Sequence, residues 1–408
     1  MALDISDINL QAALQARIDA LDSNSSMSDI LALERAAATF GTTTYYDSAG
    51  ELPNEPVLEG SIFATKGSNI YQNNALYLRG SSNWKELQSL NKPKPQYSGE
   101  TAGFWAGGSS APSPARTTIS KVEFASDTVT GVHGTLSEGT YNATGTTSAT
   151  DGYVVGGSFF PNPLAAQRFS KFSFASATPV SASPITPAHP SGQRNNTGVS
   201  DIAGGKGYLM NQDPSASNPA TGVRWSHPFA NDVPFTQETG NMNGSKEYGM
   251  GVSSITKGYH TGGAQAPQNP FPGGSSDIQS FPFASDVDAV AITATLVNAL
   301  QQHSSASGTD EYAYIFAGQK GSPPPLSFNS DIERFPFASE DISVSTGGTL
   351  EPGTTNTAGV SGISSAYLYK GGYFQKFNYG ATTSISTIAD LSGTTAASRN
   401  NRATGHQF

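Results

Sequence analysis

The sequence predicts an all-β protein whose main part is a β-propeller, a closed ring of six small sheets, or blades. Three observations predict this fold. Helix-forming residues are scarce after residue 40, short apolar and aromatic runs alternate with turn-forming residues, and two motifs recur at a regular spacing from residue 101 onward. The chain of 408 residues is long enough for such a ring and a smaller attached unit.

Composition narrows the class of protein further. Only 13% of the residues are charged, while 44 are Gly, 21 are Phe and 16 are Tyr, which argues against a disordered polyelectrolyte. The formal charge is −10 and no basic cluster occurs, so nucleic-acid binding is not expected. The chain has no cysteine, which excludes disulfides, thiolate metal ligands and cysteine nucleophiles. No apolar run reaches the roughly 18 residues of a membrane span, and residues 1–7 lack a signal-peptide pattern.

Residues 1–40 carry a helical pattern that the rest of the chain lacks. A second short helix is predicted over residues 27–39, after a break at residues 22–26. Helices this short are unstable alone, so the segment must pack on its own protein or act as an anchor or oligomerisation device. The stripe that would do so consists of four residues at helical spacing: Leu10, Leu14, Ile18 and Leu21.

Residues 41–90 are predicted to form a small β-module, followed by a polar, proline-containing linker at residues 91–100. Gly and Asn turns separate its short strands. The predicted strands are Ser61–Ala64, Asn69–Tyr71, Ala75–Leu78 and Trp84–Leu87.

The first motif of the repeat is a Gly, an aromatic residue, two small or apolar residues and a double Gly. Clear copies are Gly103–Gly108, Gly152–Gly157 and Gly258–Gly263, and weaker ones are Gly207–Asn211, Tyr314–Gly318 and Tyr367–Gly372. A double Gly allows the backbone to turn or approach where a Cβ would clash. The structural glycines predicted from this motif are Gly107, Gly108, Gly156, Gly157, Gly262 and Gly263.

The second motif is Phe-Pro-Phe-Ala-Ser-Asp or a variant of it. The best copies are Phe281–Asp286 and Phe335–Glu340, and others are Val122–Asp127, Phe172–Ser176, His227–Asp232 and the degenerate Lys376–Gly380. Its aromatic residues are expected to fill the layers between blades, and its Pro to sit on an outer edge strand or a bulge. The predicted layer-filling residues are Phe124, Phe174, Phe229, Phe283 and Phe337.

The repeat period of about 50–55 residues suits a four-stranded blade with one long loop. A third, weaker element is a Leu before each new copy, as at Leu136, Leu296, Leu350 and Leu391. The array begins with an unpartnered strand at Phe104–Gly108 and ends after Leu391 without another copy of the first motif. We therefore predict that the two ends of the region 101–408 pair in one blade, which gives six blades and removes open sheet edges.

The two motifs together resemble those of known proteins. The Gly-Tyr-…-Gly-Gly motif with a later aromatic strand resembles kelch-like propellers, and the repeated Phe-Pro-Phe-Ala-Ser-Asp is similar to propeller repeats in virion proteins of marine bacteriophages. Tyr45–Pro53, Gly60–Ile62 and Trp84–Leu87 are similar to small modules of phage fibre and appendage proteins. The resemblance implies a structural component of a phage particle, displayed outward and often in contact with the host surface.

No catalytic or metal-binding motif stands out, so we predict no enzyme activity, catalytic residue, metal site or cofactor. The pair Asp286 and Asp288 and the pair Asp310 and Glu311 are interpreted as solvated turn residues, and Trp105 as a core residue like Trp225. The six histidines lack metal-ligand spacing: His133, His189, His227, His260, His303 and His406. Variable loops are the better candidates for recognition: Ser109–Thr118, Ser158–Arg168, Gln212–Val223, Ala264–Asp277 and Gln319–Asp331.

The sequence thus predicts a virion tail fibre or appendage protein, located on the particle surface. Its expected partners are other virion proteins, through the N-terminal segment, and a host-surface glycan or protein whose binding residues are unknown. The N-terminal helix is compatible with a homotrimer and with a single copy docked on a partner. Two alternatives remain open: a ligand-free capsid decoration protein, and a propeller glycan hydrolase with two carboxylates at a fixed separation.

Overall fold

A computed structural model defines the fold. The chain forms two compact units, Met1–Lys94 and Pro95–Phe408. In the first unit it describes the backbone of four strands between residues 44 and 89, and the predicted helices lie outside the described residues. The described parts of the second unit are residues 101–108, 116–141, 143–157, 169–175, 180–184, 197–210, 222–231, 235–244, 246–265, 274–301, 304–307, 311–320, 327–350, 358–370, 373–379, 385–390 and 404–407.

The first unit contains one four-stranded sheet. Its strands follow chain order, with the first pair parallel and the other pairs antiparallel. The predicted strand at Asn69–Tyr71 lies outside the described residues. The strands are β1 (Thr44–Tyr46), β2 (Ile62–Thr65), β3 (Ala75–Arg79) and β4 (Trp84–Ser89).

The second unit is the predicted six-bladed propeller, and its described residues contain no helix. Blade 1 contains β5 (Ala102–Ala106), β6 (Thr118–Glu123) and β7 (Thr128–Leu136). Blade 2 contains β8 (Thr144–Thr147), β9 (Asp151–Val155), β10 (Phe169–Ser173) and β11 (Val180–Pro184). Blade 3 contains β12 (Thr197–Asp201), β13 (Lys206–Met210), β14 (Arg224–Pro228) and the two-residue β15 (Thr236–Gln237).

Blades 4 to 6 complete the ring. Blade 4 contains β17 (Met250–Ser253), β18 (Lys257–Thr261), β20 (Ser275–Pro282) and β21 (Val290–Gln301), with a small ribbon of β16 (Lys246–Glu247) and β19 (Ala264–Gln265) beside it. Blade 5 contains β22 (Ser304–Ser307), β23 (Tyr312–Lys320), β24 (Ser327–Pro336) and β25 (Val344–Thr349). Blade 6 contains β26 (Ala358–Ser361), β27 (Ser365–Lys370), β28 (Tyr373–Asn378) and β29 (Ile385–Asp390).

The two ends of the ring meet in blade 1. The last strand, β30 (Thr404–Gln407), pairs antiparallel with β5, with Thr404 opposite Ala106 and Gln407 opposite Gly103. Blade 1 therefore takes its innermost strand from the end of the repeat region. Two blade pairs are also joined by backbone pairing between their sheets, blades 1 and 2 through β7 and β11, and blades 4 and 5 through β21 and β23.

Aromatic contacts fill every junction between blades. The aromatic residue of the first motif packs on the last aromatic position of the second motif in the next blade. The predicted layer-filling phenylalanines occupy five of these six positions, and the contacts close the ring because the sixth returns to blade 1. The ring-centroid distances are 4.9 Å for Phe104–Phe174, 5.2 Å for Tyr153–Phe229, 5.5 Å for Tyr208–Phe283, 5.2 Å for Tyr259–Phe337, 4.9 Å for Tyr314–Tyr379 and 4.6 Å for Tyr367–Phe124.

The six innermost strands surround the axis and share a short pattern that the motif analysis missed. Their second position is Gly in five blades: Gly145, Gly198, Gly251, Gly359 and Gly405. A Cβ on Gly198 would overlap the carbonyl oxygen of Gly145, and a Cβ on Gly251 would overlap that of Gly198. Hydroxyl groups two residues later link the same strands, since Ser200 Oγ accepts a hydrogen bond from the Thr147 N–H at 2.8 Å.

The motif residues end the strands in two ways. All six double-motif glycines have φ between +59° and +101°, and a Cβ on Gly107 would lie 2.6 Å from the carbonyl oxygen of Thr140. The expected edge or bulge position for Pro was wrong. Pro282 and Pro336 are the last residues of β20 and β24, which are interior strands. Pro is tolerated there because the outer neighbouring strands pair only as far as Ser280 and Arg334, so no outer strand needs a donor from the Pro.

The two faces of the ring differ in the connections they carry. Because successive strands in a blade are antiparallel, the turns joining strands one to two and three to four emerge on one face, the short-turn face. The connections joining strands two to three, and each blade to the next, emerge on the opposite face, which we call the long-connection face. All five variable loops predicted from the sequence lie in chain order between second and third strands, so the described strand ends that flank them are on the long-connection face.

Replacing Gly198 by Ala should destabilise the ring by about 1–3 kcal/mol, because the new methyl group overlaps backbone that cannot rotate away. The free energy of unfolding from urea titration measures the effect. Gly348→Ala is the matched control, since its nearest contact is the flexible end of Ile332 at 3.1 Å. Equal losses for the two variants would contradict close packing of the inner strands.

Candidate functional site

Blade 3 departs from the other blades at two core positions on its third strand. The strand register places Arg224 where the other blades carry Ile119, Phe169, Ile278, Ile332 and Phe374. The register also places His227 where they carry Val122, Phe172, Phe281, Phe335 and Phe377. Both polar residues are fully buried, so blade 3 is the place to look for chemistry beyond packing.

Arg224, whose side chain is buried, forms an ion pair between blades 3 and 4 with the partly exposed Asp286. One guanidinium nitrogen donates to Asp286 Oδ1 at 2.6 Å, and the other donates to the Val287 carbonyl at 3.0 Å. The guanidinium also lies over the Phe281 ring, 4.3 Å from its centroid. Such a charge is tolerated in a core only when it is paired and hydrogen-bonded, so this contact fixes blade 3 against blade 4.

The Asp286 carboxylate, the partner of Arg224, accepts four hydrogen bonds. Besides Arg224, it accepts from the Thr239 N–H at 2.6 Å, the Thr239 hydroxyl at 2.7 Å and the Gly240 N–H at 2.9 Å. Burial alone would raise the pKa of Asp286, but the hydrogen bonds from Thr239 and Gly240 outweigh it and hold the pKa well below its ordinary value. Asp288 also accepts from a backbone N–H, that of Asn241, at 2.8 Å. Asp286 and Asp288 are exposed, as their interpretation as solvated turn residues requires, and the chain after β15 also donates hydrogen bonds to both.

The acidic residue that ends the second motif makes a similar clamp in other junctions. Glu340 has φ of +51°, and its Oε1 accepts from the Tyr259 hydroxyl at 2.7 Å and from Lys257 Nζ at 2.9 Å. The clamp joins blade 5 to blade 4, and it explains why the acidic residue recurs with the turn.

Asp127 repeats this arrangement between blades 1 and 6. It has φ of +53° and accepts from the Tyr367 hydroxyl at 2.8 Å and from Lys376 Nζ at 2.9 Å. Burial, followed by the hydrogen bond to Asp127, raises the pKa of Tyr367. The tyrosine therefore stays protonated and remains a donor to the carboxylate.

A second buried acid holds the backbone of the neighbouring blade. Glu333, on β24, accepts from the Val297 N–H at 2.8 Å and from the Asn298 side chain at 2.8 Å. Burial raises the pKa of Glu333, and the hydrogen bonds from Asn298 and Val297 oppose that rise. Gln279 holds the equivalent position in blade 4 and bonds both the N–H and the C=O of Asn243. Both side chains are buried in a junction between blades.

His227 sits in an aromatic box at the junction of blades 2 and 3. The rings of Tyr153, Phe169, Phe229 and Phe235 surround it at centroid distances of 4.8–5.2 Å. Its Nε2 lies 2.8 Å from the Thr146 hydroxyl, and its buried Nδ1 has no hydrogen-bond partner in the described structure. Burial lowers the pKa of His227 to about 3, so the imidazole is neutral at ordinary pH.

The remaining predicted residues fall into place as follows. Trp105 is buried and donates to the Ala358 carbonyl at 3.0 Å across the junction of blades 6 and 1. The stripe Leu10, Leu14, Ile18 and Leu21 lies outside the described residues, as do most residues of the variable loops. Sequence reasoning missed Arg224, although aligning the six copies of the second motif by their last aromatic residue would have shown it as the exception at an apolar position.

Comparisons with known proteins do not assign the chain to a family. No protein-family model and no curated protein sequence matches the chain. Within the described ranges, no group of three or more His, Asp or Glu side chains is arranged to hold a metal ion. The same residues include no helix long and apolar enough to cross a membrane. Function must therefore be inferred from the ring, its two faces and the roles of its polar residues.

Removing the Asp286 carboxylate should cost about 1–3 kcal/mol of folding free energy, because the buried Arg224 loses its countercharge while the carboxylate itself is partly exposed. The double variant Arg224→Ile with Asp286→Ala should recover the part of that loss due to the unpaired guanidinium, since Ile occupies this position in blades 1, 4 and 5, but not the part due to the donors of Thr239 and Gly240. Urea unfolding of the two single variants and the double variant measures the coupling. Glu123→Ala, which removes the partly exposed pair with Lys121, is the control and should cost less than about 1 kcal/mol.

Stability should fall as the pH drops below about 6.5, where His227 binds a proton when unfolded but not when folded. The contribution of His227 is present in full above pH 6.5 and decreases by about 1.4 kcal/mol per pH unit down to the folded pKa. His227→Phe, which restores the residue type of other blades, should remove this slope. Urea unfolding at several pH values between 4 and 7 measures it, and parallel curves for the two proteins would refute the assignment.

Proposed function

We propose that this protein is a structural component of a bacteriophage virion, a tail fibre or similar appendage, and not an enzyme. Its N-terminal segment attaches it to the particle, and the long-connection face of the propeller recognises the host surface. The observation that carries the proposal is that the repeating residues and the variable residues occupy different parts of each blade. Residues that repeat build the ring, whereas the residues that vary between blades belong to connections on one face.

The chemistry of the described acidic residues supports a binding role. Asp127, Asp286, Glu333 and Glu340 accept hydrogen bonds that hold one blade to the next, so their carboxylates serve the ring. The variable connections are rich in Pro, Ser, Asn and Gly, which favour adaptable polar contacts with glycans or proteins. The similarity of the second motif to phage virion repeats points to a bacterial surface as the target.

The binding test uses the full chain on an array of bacterial lipopolysaccharides and capsular polysaccharides. We expect binding that falls at least tenfold when residues 212–221 or 266–273 are replaced by Gly-Ser sequence of equal length. Ser126→Ala and Ser285→Ala, on the short-turn face, are the controls and should bind like the parent. Absence of binding to every surface would favour the ligand-free decoration protein, and shortened polysaccharide in the eluate would favour the glycan hydrolase.

The assembly test concerns the N-terminal stripe. If residues 1–40 assemble the fibre, light scattering of the full chain should give about three times the 42.4 kDa of one copy. Replacing Leu14 and Ile18 by Asp should then reduce the mass to that of a monomer, because charges disrupt an apolar helix contact. A parent chain that is already monomeric would indicate docking on another virion protein instead.

A further inference from the structure

The innermost position of blade 1 is filled differently from that of the other blades. In blades 2 to 6 the innermost strand directly precedes the strand with which it pairs, whereas β30 lies about 300 residues after β5. β30 is also flanked by the inner strands β26 and β8 of the neighbouring blades. Four register pairs with β5, and contacts with these two strands, hold it in the ring.

The position that β30 fills selects for a particular strand. At the second position of the inner strands, a Cβ on Gly198 or Gly251 would overlap the backbone of the preceding blade. Gly405 has the same register position in β30, and Gln407 lies where the other inner strands carry Ser or Thr. A strand of this type is carried by every copy of the chain.

We propose that the β5 edge, between β26 and β8, is a strand-acceptor site that binds β30 of a second copy of this chain. The contacts of β30 are the same whether the strand comes from its own copy or from another, so exchange costs only the entropy of association. Residues 391–403 separate β29 from β30, a length that spans up to about 45 Å when extended. Neighbouring copies at high local concentration can therefore exchange β30 and become joined.

The absence of cysteine makes a direct test simple. One full-length copy carries Thr404→Cys and the other carries Ala106→Cys, two residues that are opposite each other in the register. Register partners in an antiparallel pair lie about 4.5–5.5 Å apart between Cα atoms, which suits a disulfide. The copies are unfolded, mixed, refolded together and oxidised, and covalent heterodimer is measured on a non-reducing gel. We expect at least fivefold more heterodimer than in the mismatched control.

The mismatched control pairs the Thr404→Cys copy with a Val132→Cys copy, whose cysteine is exposed on blade 1 away from the acceptor. A donor that carries both Thr404→Cys and Gly405→Leu should lose the heterodimer, because the larger side chain does not fit between the inner strands. Heterodimer no greater than in the control, or unchanged by Gly405→Leu, would overturn the proposal.

A second measurement covers the case in which the cysteine variants do not fold. The unmodified chain is refolded at increasing concentration and its mass is measured by light scattering, beside the Gly405→Leu chain. A concentration-dependent rise in mass that only the unmodified chain shows supports strand exchange. The same mass distribution for both chains at every concentration overturns it.

Discussion

The ring depends on one aromatic contact that is made at all six junctions. A Tyr or Phe from the second strand of each blade packs on an aromatic residue at the end of the third strand of the next, from Phe104–Phe174 around to Tyr367–Phe124. Each pair contributes about 0.5–1.5 kcal/mol beyond the area it buries. Because the last contact returns to blade 1, no blade completes its core until its neighbour is in place, which makes closure cooperative.

The polar contacts differ from one junction between blades to another. Blades 1 and 2, and blades 4 and 5, share backbone pairing. The junction of blades 3 and 4 has the ion pair Arg224–Asp286, and that of blades 6 and 1 has Lys376–Asp127. These pairs add to the aromatic contacts, and only Arg224 among them is a fully buried charge, so the junction of blades 3 and 4 depends most on its partner.

The fold could be predicted because its determinants repeat. Phe283 and Phe337 stand out since both lie in the same five-residue run, Phe-Pro-Phe-Ala-Ser. The prediction of a six-bladed all-β ring is confirmed. The inner-strand glycines escaped notice because a four-residue run of small residues, as around Gly198, resembles a turn. The role of Arg224 was missed because its partner, Asp286, lies in the next repeat, and the motif comparison did not pair residues of different blades. The edge-strand prediction for Pro282 failed because the sequence shows only that Pro lacks a backbone N–H donor. It does not show that the neighbouring strand β21 stops pairing at Ser280.

The position of β5 has a mechanical consequence. Residue 101 leads directly into β5, so a pull applied at this residue along the strand reaches the ring through β5. β5 is bonded on one side to β30 and on the other to β6, both antiparallel. A pull along the strand therefore loads these two rows of backbone hydrogen bonds in shear, where they must break together and not one after another. A propeller closed in this way resists unfolding by a pull along β5.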